Sequence, residues 1–334
     1  MLKTASTAAA GYFITLVLSA AGTASAQGSA SNPAANYPNR PVSVVITYIA
    51  GSSTDGEARL YTDKMQQSMG QAFIYDYRPG AGTTIGVNHF VNAAPDGYTI
   101  MVHNTSMAVF PNFYPRTNHE VVKRIATISV LSSRQSAVIA STAALPGVRS
   151  MKDLAAYGKA NPDKLNCITS GVGGITHIVC LAFAQALGIR ITPVHYKGVS
   201  EGQVDLIAGR AQLYTGPVYS SSKLARAGKV HMLAIIDRVR SRIMPDVPTS
   251  DEQGYYFKYP SWVGAFAPPK TPRPIIDRLN AEFVKAAHHP DVVKMLDAGG
   301  SIPVGSSAEE FRSRYHEEME YWKKIVDDHK ITIE

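Results

Sequence analysis

Four stretches place glycine and small hydroxyl residues directly after an apolar run: GSSTD (51–55), GAGTT (80–84), TSGVGGIT (169–176) and KGVSEG (197–202). Each has the pattern strand, polar turn, helix. A helix start leaves backbone N–H groups unpaired and facing outward. The helix dipole adds partial positive charge there, so such a turn can hold an anion without Arg or Lys. In open α/β sheets these turns lie at the carboxyl ends of the strands, where ligands bind. Any one of them reads as a helix cap, but four in one chain point to a cleft that holds carboxylates. Each hydrogen bond in it would contribute about 0.5–1.5 kcal/mol net, and up to about 3 with a charged acceptor.

The other reactive residue types do not assemble into a known chemistry. GAGTTIG (80–86) has glycine spacing, but no acidic residue ends a strand about 20 residues on, which argues against dinucleotide binding. There is no P-loop, no GxSxG elbow and no HExxH. His89, His103, His177 and His195 lack metal-ligand spacing and read as hydrogen-bonded structural residues, and His288-His289 as solvent-facing. Asp55 and Asp205 read as turn-stabilising rather than as general bases. No nucleophile–base pair stands at a recognisable spacing, so an enzyme is not expected, nor is a cofactor or metal.

The elements that position these turns follow from periodicity. The first turn lies in YIAGSSTDGEAR (48–59), with strand Val42–Thr47 before it and helix Glu57–Met69 after it. Strand Ala72–Tyr77, helix Ile85–Ala94 and strand Thr99–His103 continue an alternation expected of a parallel sheet with helical crossovers. A second unit begins near Ile125. It has strands at Ile128–Leu131, Ala137–Ala140, Lys164–Ile168, Ile191–Tyr196, Gln212–Gly216 and Val230–Ile236. Its helices are one N-capped by Ser150, Ile178–Leu187 and Gly202–Ala208. Residues 244–272 read as a return crossover. The tail reads as helices Pro274–Ala287, Asp291–Leu296 and Ala308–Asp328, without strands, packing on the first sheet.

The 334 residues, 45% hydrophobic, can bury a sizeable core in about two domains. Lys3, an apolar stretch Ala8–Ala20 and Thr23-Ala24-Ser25-Ala26 form a secretory signal over 1–26, with Gln27 as the mature start. Residues 27–38 read as a flexible lead-in. Losing Lys3 lowers the formal charge from +7 to about +6. The positive charges are scattered, which argues against nucleic acid and suits small anions. Cys167 and Cys180 could pair in an oxidising compartment. A strand and a helix packed on it lie roughly 10 Å apart, however, which favours two buried free thiols.

The sequence resembles the Bug, or TctC-like, family of periplasmic solute-binding receptors of tripartite tricarboxylate transporters. The resemblance runs from about Tyr37 to the C-terminus. It is carried by YPNRPV (37–42), the turn ending in Asp55 with Ala58-Arg59, RPGAGTTIG (78–86), AAPDGYT (93–99) and KANPDKLN (159–166). The glycine-rich turn ending in His177, HYKG with Asp205, DVPTSDEQG (246–254) and WVGAFAPPKTP (262–272) complete it. It implies a periplasmic-binding-protein type II fold, two α/β domains joined by two crossovers with a ligand cleft between them. Domain I would be 27–136 with 254–334, and domain II 137–253. Carried over by position, one wall of the cleft is Tyr48, Ser52, Ser53, Thr54, Asp55, Thr83, Thr84, Asn104 and Ser106. Facing it are Thr169, Ser170, Gly173, Gly174, Thr176, Lys197, Gly198 and Ser200. TYIAGS replaces the family's usual PFPPGG, and Thr83 and Gly174 also depart from its pattern. These changes bear on ligand identity and leave the scaffold intact.

The expected function is capture of a small carboxylate, a di- or tricarboxylate or another organic acid, by a monomeric periplasmic protein. The protein would deliver it to the small and large membrane subunits of such a transporter. A ligand sensor for a membrane signalling system is the alternative, and a secreted hydrolase a weaker one.

Overall fold

The computed structural model describes residues 34–80, 83–109, 119–169, 175–196, 199–259 and 261–329. The signal segment, Ser170, Gly173, Gly174, Lys197 and Gly198 lie outside the described residues. β1 (Val42–Ile46) is β-branched and buried except at Ser43. It leads into α1 (Ser53–Met69), which starts four residues earlier than expected and stops at Gly70 (φ +68°), a left-handed cap. The earlier start has a local cause. The Ser52 hydroxyl accepts from Asp55 N–H, and the Asp55 carboxylate reaches back to Gly51 N–H at 2.8 Å. Ser53, Thr54 and Asp55 are therefore the first helical turn and not a loop.

β2 (Phe73–Tyr77), α2 (Thr84–Val91), β3 (Thr99–Asn104), α3 (Ser106–Val109), α4 (His119–Val122) and β4 (Ala126–Arg134) follow. Gln135 alone separates β4 from β5 (Ser136–Ser141). Then come α5 (Met151–Ala160), capped by Ser150 as expected, β6 (Asn166–Thr169), α6 (Ile175–Leu187), β7 (Thr192–His195) and α7 (Val199–Ile207). β8 (Leu213–Pro217), α8 (Val218–Arg226) and β9 (Val230–Ile236) complete the second sheet. Residues 237–261 return the chain to β10 (Trp262–Ala267), α9 (Arg273–Ala287), α10 (Pro290–Ala298), β11 (Ser301–Pro303) and α11 (Ala308–Asp328).

There are two sheets, in strand order β11-β4-β10-β3-β1-β2 and β7-β6-β8-β5-β9. Each is mixed: β1 pairs parallel with β2 and β3, and β6 with β7 and β8, while β10 and β5 run antiparallel to their neighbours. This is the two-sheet α/β architecture expected, and the chain passes from the first sheet to the second at Gln135 and returns through 237–261. Three expectations are corrected. β4, expected as the first strand of the second unit, belongs to the first sheet, between β11 and β10. The return segment contains β10, buried along its whole length between β3 and β4, and the tail contributes β11. α8 was also absent from the sequence reading.

α11 covers one face of the first sheet through Phe311, Tyr315, Met319 and Trp322, all buried. The Phe311 ring meets Trp262 edge-on at 5.1 Å and Phe266 at 5.0 Å. Gly264 makes this approach possible, since a Cβ there would lie 2.4 Å from the Phe311 ring. No helix among the described residues is long and apolar enough to cross a membrane. Cys167 on β6 and Cys180 on α6 are both buried and free.

Candidate functional site

The strand ends of the first lobe converge on a cavity of about 100 Å³ lined by Ser53, Thr54, Asn104, Thr105, Ser106, Ser132, Arg134, Ser261, Trp262 and Val263, with Ile175 from the second lobe. A larger groove of about 460 Å³ adjoins it at the crossovers and shares Arg134 and Ser261. None of that groove's described lining residues belongs to a glycine–hydroxyl turn, so the smaller cavity is the candidate site.

α1 brings the N–H groups of Ser53 and Thr54 to the cavity, and neither has a partner among the described residues. The cap uses Asp55 N–H instead. Asn104, at the end of β3, supplies the second feature. Its Oδ1 accepts from Ser106 N–H and from the Tyr48 hydroxyl, both at 3.0 Å. A backbone N–H can only donate, so the amide oxygen is fixed on that side. The two N–H bonds of Nδ2 are left without a partner among the described residues. Burial pushes the Tyr48 hydroxyl up to about 12, against the opposing hydrogen bonds with Ser106 and Asn104, so it stays a neutral donor.

The acceptors around the cavity are already occupied. Asp55 takes Gly51 N–H, Arg59 Nε at 3.1 Å and the Tyr77 hydroxyl at 2.8 Å. Glu57, which is buried, takes the Ser132 hydroxyl and the Arg134 guanidinium. Arg134 also donates to Ser301 Oγ at 2.8 Å. Thr105 exchanges hydrogen bonds with the Trp262 backbone. The wall therefore offers two helix N–H groups, the Asn104 amide and the Ser53 hydroxyl, beside the Arg134 guanidinium that Glu57 pairs.

Of the expected site residues, Ser53, Thr54, Asn104 and Ser106 line this cavity. Tyr48 and Asp55 hold them from behind, and Ser52 caps the helix. Thr83 caps α2 in a left-handed conformation (φ 83°), and neither it nor Thr84 is among the cavity's described lining residues. In the second lobe the Thr169 hydroxyl is engaged with His195 Nδ1 at 2.5 Å. Thr176 is buried and also does not line the cavity, and Ser200 is the second residue of α7. Asp205 accepts from Tyr196 at 2.7 Å and from Arg210, so it stabilises its turn. The sequence reading did not single out Ile175, although it lies in the TSGVGGIT turn, and it missed Ser132, Arg134 and the Ser261–Val263 edge, which belong to β4 and the start of β10 and carry no glycine–hydroxyl signature.

His103 lies fully buried beneath Tyr48, its ring centroid 5.4 Å away, with Nδ1 3.0 Å from the Asn104 carbonyl. Burial pushes this imidazole down to about 4, and it is neutral with its proton on Nδ1. The unfolded chain, with an ordinary value near 6.5, binds more protons between these limits, so stability is full above about pH 6.5 and falls as pH drops toward 4. From this residue alone we expect about 2 kcal/mol less stability at pH 5 than at pH 7. His177 has the same sign, lowered to about 4 by burial and then by His195 and His329. Urea unfolding at the two pH values checks this: His103→Leu should flatten the dependence, and an unchanged slope would refute it.

Residues 57–331 match the family model described as the tripartite tricarboxylate transporter family receptor. The chain belongs to this family. It is 31% identical over 301 residues to a UPF0065 protein in the tcbD-tcbE intergenic region of Pseudomonas sp. (strain P51), covering 89% of this receptor and 88% of that protein. Among solved structures, the periplasmic binding protein BugD is similar at 26% identity and a TM-score of 0.69, over 89% of this chain and 99% of that one. MatC from Rhodopseudomonas palustris, solved with bound malate, is similar at 27% identity and a TM-score of 0.69, over 87% of this chain and 100% of that one. The receptor is accordingly a solute-binding protein and not an enzyme.

Proposed function

We propose that this receptor closes around a small organic acid, a dicarboxylate first among the candidates, in the periplasm and delivers it to the membrane subunits of a tripartite tricarboxylate transporter. One observation carries the reading: the wall presents the N–H groups of Ser53 and Thr54 and the Asn104 amide, while the carboxylates behind it are engaged. Asp55 and Glu57 are occupied by Gly51, Arg59, Tyr77, Ser132 and Arg134. A ligand group entering there meets N–H and O–H bonds without a competing acceptor, which suits a carboxylate. MatC, with its bound malate, supports that class. The lobes are 27–136 with 254–334 and 137–253, residues 1–26 are removed on export, and the protein acts as a monomer. Function is differential affinity between open and closed lobes, with no covalent step.

Ser53→Pro tests the reading at a single atom. Ser53 is the first helical residue, and Ser52 before it has φ −64° and ψ 159°, the region a following proline requires. The variant should fold while losing one donor to a charged acceptor, weakening malate binding by about 1.5–3 kcal/mol. Ser53→Ala also loses the hydroxyl but keeps the N–H, so the difference between the two variants isolates the backbone donor, and Ser53→Ala should bind the more tightly. Calorimetry that finds Ser53→Pro as tight as Ser53→Ala would refute the helix-terminus contact.

A further inference from the structure

Asn104 ends β3 at the cavity, and its amide is held from one side only. Oδ1 accepts from Ser106 N–H and from the Tyr48 hydroxyl, both at 3.0 Å. The Ser106 N–H cannot accept in return, which fixes the amide against a flip and leaves both Nδ2 bonds without a partner among the described residues. We propose that Asn104 sets the chemical class of the bound acid: α-hydroxy and unsubstituted acids are admitted, and α-amino acids are rejected. This deepens the carboxylate reading above and rests on it.

The cavity, at about 100 Å³, is small. A carboxylate on the Ser53 and Thr54 N–H groups therefore brings the substituent of its next carbon within the same walls, where Asn104 stands. A hydroxyl there can accept from Nδ2, and a methylene needs no partner. An ammonium only donates. It would face the Nδ2 hydrogens and, on the same wall, the Arg134 guanidinium. The carboxylates that could neutralise it are buried and taken, Asp55 by Gly51, Arg59 and Tyr77, and Glu57 by Ser132 and Arg134. Enclosing a cation without a carboxylate partner is costly.

The amide is also anchored from below. The fully buried His103 ring lies 5.4 Å from the Tyr48 ring, and its Nδ1 stands 3.0 Å from the Asn104 carbonyl. Main chain and side chain of Asn104 are thus both fixed before a ligand enters, which lowers the ordering cost of binding. To offer its oxygen to an ammonium, the amide would have to give up the bonds from Ser106 and Tyr48 together.

Calorimetry at pH 7 with L-malate, succinate and L-aspartate tests this, because the three diacids differ at one carbon only. Malate should bind most tightly and succinate within about tenfold of it, the worth of one neutral hydrogen bond. Aspartate should be at least about tenfold weaker than succinate. Asn104→Asp then inverts the polarity at a single atom. It keeps an oxygen for Ser106 and Tyr48 and puts a second oxygen where Nδ2 stood. Malate should weaken by about tenfold or more and aspartate should tighten, so that their order reverses. An unchanged order in a variant that unfolds at the parental temperature would overturn the proposal. If the variant does not fold, the parental series decides, and aspartate as tight as succinate overturns the proposal there. Equal binding of all three acids would overturn this inference and leave the carboxylate reading standing, whereas binding of none would overturn both.

Discussion

Arg134→Met is expected to lower the unfolding free energy by about 3 kcal/mol, the lower end for breaking a buried ion pair from one side. Glu57 sits in the first turns of α1 with 8% of its side chain exposed, whereas Arg134 is 28% exposed. Losing the guanidinium leaves a carboxylate enclosed with only the Ser132 hydroxyl to accept from. Glu57→Gln on top of Arg134→Met should recover most of the loss, because a neutral amide costs far less to bury. Urea unfolding at pH 7 decides it: a loss under 1 kcal/mol for the single variant, or no recovery in the double, would contradict the assignment. The pair also links the helix that carries Ser53 and Thr54 to the last residue of β4, where the chain leaves the first lobe. Affinity should therefore fall with stability in the single variant and return in the double.

Trp262→Ala should cost about 3–5 kcal/mol, the range for removing a large buried aromatic. The indole is buried against Phe311 and Phe266, and its Nε1 donates to Glu318 at 2.7 Å. Burial raises the Glu318 carboxyl above its ordinary value, opposed by Arg314 and the indole. Trp262→Phe keeps most of the apolar area and removes that donor, so it should lose about 1–3 kcal/mol. Thermal and urea unfolding of the two variants separate packing from the hydrogen bond. Equal losses would assign the whole effect to Glu318, and a loss below 1 kcal/mol for Trp262→Ala would contradict the packing.

Local signals in the sequence located most elements. VSVVI, the Ser52 and Ser150 caps and the apolar stripe of α11 are all short-range features, and each element formed where its signal stood. β10 was overlooked although WVGAFA is an apolar run of strand length, because it was read together with the Pro- and Tyr-rich segment before it. Its partners β3 and β4 lie more than 120 residues away, and only that pairing makes it a central strand. β11, at three residues, has almost no local signal. Of the site, the donors of α1 were legible because a helix start is written in its cap. The neutralisation of Asp55 and Glu57 was not, since Tyr77, Ser132 and Arg134 reach them from other strands. Arg134 in particular read as one of several scattered charges and proved to be the partner of a buried carboxylate.

The central claim is that the cavity takes a carboxylate through neutral donors. A thermal-unfolding comparison of malate with its diamide tests it most directly. At one hundred times its dissociation constant a bound acid should add about 2.7 kcal/mol of stability, with the diamide giving no shift at the same concentration. Stabilisation by the diamide, or by neutral ligands with none from any di- or tricarboxylate, would contradict it.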